Sequence, residues 1–329
     1  MIAAYLLNPS QPGYGLSEVA LHYLDQVPGS GLSAEESVLL VKELKLRLEK
    51  ELKGKELIAL FRDTELPLAG VLAQMELCGI TLDLKLLSSL SKDLEKKLNA
   101  VIKGIYGLSG TEFNINSPKQ LRTVLFDNLK LPVIKRTKTG PSTDEEVLNK
   151  LARKHKLPEL LLEYRQLTKL KTTYVDALPK LIDPADGQLH TSFNQCATET
   201  GRLSSSNPNL QNIPVKTDIG RQIRRAVIAS GRGRLLLACD YSQIELRVLA
   251  HLSQDENLIA AFKAGSDIHK ATAALIFSAD EKDVTDEMRD NAKRVNFGIV
   301  YGLTSFGLSR DLDIPIDEAQ AFIDAYFAR

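Results

Sequence analysis

Arg289, Lys293, Phe297 and Tyr301 follow one another at four-residue intervals in RDNAKRVNFGIVYG, and Gly302 closes the run. On an α-helix that spacing stacks two cations and two aromatics along one slowly drifting face. The cations suit a polyphosphate, and an aromatic ring suits the flat face of a base. A helix of this design reads as a nucleotide-holding surface. Against it stands the plainer reading that Phe297 and Tyr301, at helical spacing, belong to a core.

At 329 residues the chain exceeds one comfortable core and predicts two or three domains. Its 43% hydrophobic and 26% charged content is that of an ordinary soluble globular protein. Cys78, Cys196 and Cys239 lie far apart and form no CxxC pair, which argues against a zinc site or a disulfide framework and fits a reducing cytosol. No apolar run approaches the length of a membrane span, and MIAAYLLNPS lacks the basic leader and long apolar core of a signal peptide. A cytoplasmic protein with no membrane partner is expected. Zero net charge speaks at first against nucleic acid, but its distribution speaks for it. Between Gly201 and Cys239 stand Arg202, Lys216, Arg221, Arg224, Arg225, Arg232 and Arg234 against the single acid Asp218, and Lys150 to Lys171 is basic as well. Two such segments beside a nucleotide-type helix suit a phosphate backbone.

Residues 1–60 carry helical patterns interrupted by the turn-prone DQVPGSG. A short apolar helix is predicted over Leu66 to Leu77, with Pro67 near its start and Gly79 past its end. From Leu86 a longer amphipathic helix places Leu87, Leu90, Leu94, Leu98, Val101 and Ile105 on one face, and Gly107 is expected to end it. Ser117 and Pro118 read as N-cap and first helical residue of the next. VIKRTKTGPSTDEEV reads as a basic loop leading into a helix capped by Ser142 or Thr143. The character changes over GQLHTSFNQCATETGRLSSSNPNLQNIP, which reads as strand, loop and turn, and the apolar RLLLACD predicts a buried strand. Helical patterns resume at Ser242 and run to the last residue, where no stop signal follows IDEAQAFIDAYFAR; a cut sequence is expected.

Asp240 stands where the predicted strand runs out, a good place for a hard cation such as Mg²⁺. Ser242-Gln243-Ile244-Glu245 fits an S-x-x-E capping box, so strand, carboxylate and capped helix are expected to converge on one space.

DYSQIELRVLAHLS, RDNAKRVNFGIVYG, TETGRLSSSNPNLQNIP and LPELLLEYRQLTKLKTTYVDALP occur together, and with TELPLAGVLAQMELCGITLD they resemble the family A DNA polymerases from about Asp63 to Arg329. The resemblance implies DNA-directed DNA synthesis: addition of dNTPs to a primer 3′-hydroxyl on a primer–template DNA, with Mg²⁺, by a monomer. The implied fold class is mixed α/β (α+β), a right-hand polymerase architecture with helical thumb, an antiparallel palm sheet carrying Asp240, and partial helical fingers. The implied boundaries are a 3′–5′ exonuclease-like remnant at 1–62, the start of the polymerase region and thumb at 63–188, palm at 189–255 and fingers at 256–329. By the same resemblance Asp240, helped by the carbonyl of Tyr241, ligates metal. Arg289, Lys293 and His269 grip the triphosphate, and Phe297 and Tyr301 pack about the new base pair. Gln243 and Arg202 touch the minor groove, Glu245 excludes a ribose 2′-hydroxyl, and Asn209, Gln211, Asn212 and Lys216 meet the DNA. Phe297, where a Tyr could stand, suggests discrimination against dideoxynucleotides.

Two departures matter. The family's second metal carboxylate lies in a His-Asp-Glu motif, and no HDE occurs in these residues. The polypeptide as given is therefore expected to bind nucleotide or DNA weakly at best and not to extend primers. Residues 1–60 contain one aspartate, Asp25, and no D-x-E, so no exonuclease activity is expected here. The rival readings are a non-catalytic DNA-binding pseudo-polymerase and a single-subunit RNA polymerase, the latter disfavoured by the bulk of Glu245.

Overall fold

The computed structural model describes residues 1–26, 32–215, 217–231, 233–277, 279–312 and 314–327. The chain divides into two units, Met1–Leu236 and Leu237–Arg329.

In the first unit, α1 (Ile2–Leu7), α2 (Leu16–Leu24) and α3 (Ala34–Gly54) gather around one apolar cluster. Ser33 begins α3 because its hydroxyl accepts the Glu36 N–H while Glu36 returns a bond to the Ser33 N–H, satisfying donors the helix leaves open. Leu40, Leu44, Leu48 and Leu52, four residues apart, then form the buried stripe. A π-helical turn (Leu60–Glu65) leads into α4 (Leu66–Cys78), with Pro67 in its first turn as its sequence predicts. Gly79 ends it at φ +60, and a β-carbon there would lie 2.8 Å from the His190 ring, so only glycine fits.

The larger core of this unit is built on α5 (Leu84–Ser109) after the two-residue strand β1 (Thr81–Leu82). Asp83 caps α5 by accepting the Leu86 N–H at 3.0 Å. The helix runs one turn past the expected stop: Gly107 stays helical, and Gly110, left-handed at φ +69, ends it. A helix tolerates an interior glycine at modest cost, whereas termination needs a residue that can turn left-handed. Ser117 caps α6 (Pro118–Arg122) as expected. Past a basic hairpin of β2 (Arg136–Thr137) and β3 (Gly140–Pro141), α8 (Lys156–Leu170) packs against α5, and α7 (Glu145–Ala152) packs against α8. Gly104 on α5 faces Leu160: a β-carbon there would lie 3.0 Å from Leu160 Cδ1, so the two helices approach closely at this point. A buried-edge network ties α5 to the end of α8: Lys171 Nζ donates to Ser91 Oγ at 2.9 Å and to Asp176 at 2.7 Å.

The cap of α7 is Asp144, not Ser142 or Thr143. Its carboxylate accepts the Val147 N–H at 2.9 Å, which those hydroxyls, further back along the chain, do not reach. Lys135 donates to it at 2.9 Å, and these two bonds, Lys135 first, hold its carboxyl down at about 2 from an ordinary 3.8. A carboxyl depressed by folding stabilises above its unfolded pKa and loses that contribution as pH falls through its folded one. Asp144→Asn is therefore expected to lower stability at pH 6 and to flatten its decline between about pH 4 and 2, as followed by urea unfolding of both chains across that range.

The unit also holds β4 (Ser192–Asn194) paired with β5 (Ser204–Ser206), α9 (Asp218–Arg225) and β6 (Val227–Ile228), which returns to pair antiparallel with β1. The observed class is thus mixed α/β, rich in helix with small antiparallel sheets.

A further expectation fails. RLLLACD forms no strand: residues 234–240 adopt no regular secondary structure and have no ladder partner among the described residues, and Leu235 and Leu237 are 92% and 89% exposed. An apolar run marks a segment able to be buried, but a strand also needs a neighbour for its N–H and C=O groups, and that partner is non-local.

The second unit continues with α10 (Ile244–Ser253), α11 (Glu256–Lys263), α12 (Ile268–Ile276), α13 (Asp286–Val300), α14 (Ser305–Leu312) and α15 (Ile316–Phe327). Its core gathers Ala273 and Ile276 of α12, Ala292 and Val295 of α13, Leu308 of α14 and Ala319 of α15. No described helix is long and apolar enough to cross a membrane.

Candidate functional site

Thr285 starts α13, its hydroxyl accepting the Met288 N–H at 3.2 Å, and Asp286 and Glu287 complement the helix N-terminus. Ala292, Val295 and Asn296 face inward. The four-residue repeat therefore falls on the other side: Arg289 and Phe297 are half-buried, Lys293 is exposed, and Tyr301 is 64% exposed. The plainer reading of Phe297 and Tyr301 as core residues is overturned.

A cleft of about 460 Å³ in the second unit is lined by Asp240 to Glu245, His269, Arg289, Lys293 and Phe297. It brings together the predicted metal carboxylate and nearly all the predicted nucleotide-binding residues; Tyr301 is not part of its lining. One wall is acidic, with Asp240 and Glu245, and α13 supplies the cations. Asp240 and Tyr241 are exposed. One free-standing carboxylate beside a backbone carbonyl suits Mg²⁺, which keeps most of its waters and takes one or two carboxylates plus phosphate oxygens.

The capping box at Ser242 is not formed. Gln243 itself caps α10, left-handed at φ 53, with no side-chain cap bond. Its Oε1 is buried without a partner, an acceptor left open at the cleft wall. Ser242 instead gives its carbonyl to Arg247 Nε at 2.9 Å. The S-x-x-E pattern gives the residue types for a cap; the left-handed turn at Gln243 removes the geometry it needs.

Two contacts, one half-buried and one buried, fix the cationic wall. Asp267, just before α12, accepts Arg289 Nε at 2.7 Å with one oxygen and the N–H groups of His269 and Lys270 with the other. Burial works against its ionisation, but the Arg289 and backbone bonds prevail and hold its carboxyl below the usual range. The pair engages Arg289 through Nε and leaves Nη1 and Nη2 outside it. His269 is 2% exposed, with Nδ1 2.9 Å from Asn296 Nδ2 and its ring 5.7 Å from that of Phe297. Burial first, and Arg289 and Lys293 after it, push the imidazole pKa down despite Asp267, so the ring is neutral near pH 7.

The predicted DNA-contacting residues belong to the first unit. Arg202, Asn209, Gln211 and Asn212 are all exposed. They lie around the cis Asn207–Pro208 bond, where Gln211 Nε2 donates to the Leu203 carbonyl at 3.1 Å. Asn209 and Asn212 line a cleft of about 500 Å³ with Lys169, Thr173, Tyr174, Leu178 and Pro208. Lys216 lies outside the described residues. Among the described residues one trio of possible metal ligands comes together, Asp183, Asp186 and His190, on the turn before β4. His190 Nε2 is 3.0 Å from Asp186 and Nδ1 meets the Glu76 carbonyl, so an internal ion pair accounts for it.

Sequence reasoning missed Asp267, Asn296, Lys169 and Thr173. Asp267 carried the signal of an N-cap type before a helical run, and Asn296 that of an amide on the face that Ala292 and Val295 bury.

The model of DNA polymerase family A matches residues 84–329. The chain is similar to DNA polymerase I of Geobacillus stearothermophilus, 49% identical over 100% of this chain and 40% of the relative. It is also similar to the thermostable DNA polymerase I of Thermus aquaticus, 50% identical over 99% of this chain and 39% of the relative. It thus spans about two fifths of the length of these relatives. Among solved structures, the POL domain of Pol1 from M. smegmatis in complex with DNA primer-template and dNTP superposes with a TM-score of 0.90 at 40% identity, covering 100% of this chain and 58% of that one.

Proposed function

The chain belongs to DNA polymerase family A, and from that membership we propose that it is the part of a DNA-directed DNA polymerase that seats the incoming nucleotide and grips the primer–template. The observation carrying this reading is the convergence of Asp240, Gln243, Glu245, His269, Arg289, Lys293 and Phe297 on one cleft. The solved relative that holds primer-template and dNTP supports it. Domain roles follow the sequence reading: 1–62 an exonuclease-like remnant without activity, 63–188 thumb, 189–255 palm, 256–329 fingers. The protein would work as a monomer in the cytoplasm, at nucleoid DNA.

Each residue has a task that its chemistry allows. Arg289 and Lys293 neutralise the triphosphate, Arg289 by a fork already steadied through Nε. His269 adds a neutral donor. Phe297 packs on sugar and base, and Tyr301 lies at the template side beyond the cleft. Glu245 occupies the space a 2′-hydroxyl would need. Gln243 and Arg202, with Asn209, Gln211, Asn212 and Lys216 on the DNA, meet minor-groove acceptors and sugar–phosphate, which lie alike in every pair, so pair shape is checked without reading sequence. Asp240 and the Tyr241 carbonyl would hold Mg²⁺, which when bound polarises the phosphoryl oxygens for in-line transfer.

Labelled primer–template titrated with the 329-residue chain tests this by fluorescence anisotropy. Weak binding is expected, strengthened by the dNTP complementary to the template base and not by the matching rNTP. Primer extension is not expected, because among the described residues of the cleft lining Asp240 is the one carboxylate assigned to metal, Glu245 being assigned to the 2′-hydroxyl, and a two-metal site calls for more. Binding indifferent to which nucleotide is complementary would overturn the reading.

A further inference from the structure

We propose that Asn296 is a positioning residue of the nucleotide site: its side-chain amide donates to Nδ1 of His269 and thereby fixes that imidazole as a neutral Nε2–H donor for an oxygen of the triphosphate. The inference rests on the reading of the cleft given above and adds a residue that nucleotide need not touch.

Asn296 is fully buried on α13, and His269 is 2% exposed in the first turn of α12. The amide nitrogen carries hydrogens and has no lone pair to offer. With Nδ2 and Nδ1 2.9 Å apart, the imidazole nitrogen must accept, and the one proton of a neutral ring then sits on Nε2. Nδ1 is engaged by the fully buried Asn296 amide, and His269 is among the residues that line the cleft. The charged groups about the ring are Asp267, Arg289 and Lys293; burial and the two cations outweigh Asp267 and keep it uncharged. A neutral donor contributes a directed hydrogen bond without a third positive charge competing with Arg289 and Lys293.

A purely structural role accounts poorly for the choice of asparagine. Its Oδ1 is buried with no partner among the described residues, a desolvation cost that a leucine of similar size would avoid. The amide is explained by the donor it supplies to His269.

The test reads the tautomer directly. Long-range ¹⁵N–¹H spectra of the 329-residue chain at pH 7.5, with His269→Gln assigning its signals among the five histidines, are expected to show Nε2 protonated and Nδ1 bare. Asn296→Asp offers only acceptors, so the proton should move to Nδ1. Asn296→Leu should release the tautomer while the melting temperature holds or rises. In both variants dATP binding, measured by calorimetry, should weaken about tenfold, as for loss of one hydrogen bond to a charged group. Protonation on Nδ1 in the parent chain, or an unmoved tautomer in Asn296→Asp, overturns the inference; if that variant does not fold, the parent spectrum and Asn296→Leu decide it. A parent chain that shows the Nε2–H form but binds no dATP sinks the reading of the cleft and leaves the Asn296–His269 coupling standing.

Discussion

Arg289→Ala is expected to weaken dATP binding by roughly 100-fold and Lys293→Ala by roughly 10-fold, the span of hydrogen bonds to charged groups. The order follows from the structure. Asp267 already holds Arg289 through Nε at 2.7 Å, so ligand binding freezes little further motion of that side chain. Lys293 stands exposed and must surrender its rotamers to reach phosphate. The same difference predicts the conservative changes. Lys293→Arg should bind within a few-fold of the parent, whereas Arg289→Lys cannot both meet Asp267 and present a fork, and should lose most of the affinity. Raising salt should shrink the Lys293 effect more, since it is the more solvated charge. Calorimetric titration of the four variants with dATP at two salt concentrations checks this. An Arg289→Ala chain within twofold of the parent would remove Arg289 from the nucleotide site.

The sequence makes the parts of this site legible where they are local. Four-residue spacing places Arg289, Lys293 and Phe297 correctly on one helix face, and Asp240 reaches the same cleft. The cap at Ser117 is equally readable, whereas at α7 the cap falls on Asp144, one residue past the hydroxyls the pattern points to. What escapes is what depends on distant chain. Asp267 and Arg289 are 22 residues apart, and His269 and Asn296 are 27 apart, so no local pattern announces either pair. Residues 234–240 carry the composition of a buried strand, yet pairing is a property of a second segment that the first does not encode. Gln243 shows the same limit at short range: the S-x-x-E pattern specifies a cap, and the left-handed backbone that displaces it comes from how the chain enters α10.

Leu161→Ala should be the most damaging single change to the first unit, lowering its stability by about 3–4 kcal/mol. Leu161 is fully buried on α8, in the core that α5 and α7 share with it. Truncation removes apolar contact and leaves a cavity, and the site cannot readily collapse because α5 and α8 already meet closely at Gly104 and Leu160. Val38→Ala is the control: Val38 is 67% exposed on α3, and its loss should change stability by under about 0.5 kcal/mol. The cleft lined by Asp240, Arg289 and Lys293 draws all its residues from the second unit, which has a core of its own. Leu161→Ala should therefore lower the urea midpoint of the first unit while dATP affinity, measured well below that midpoint, stays within about twofold of the parent. Loss of stability and of dATP binding in parallel would show that the nucleotide cleft depends on the integrity of the α5–α8 core.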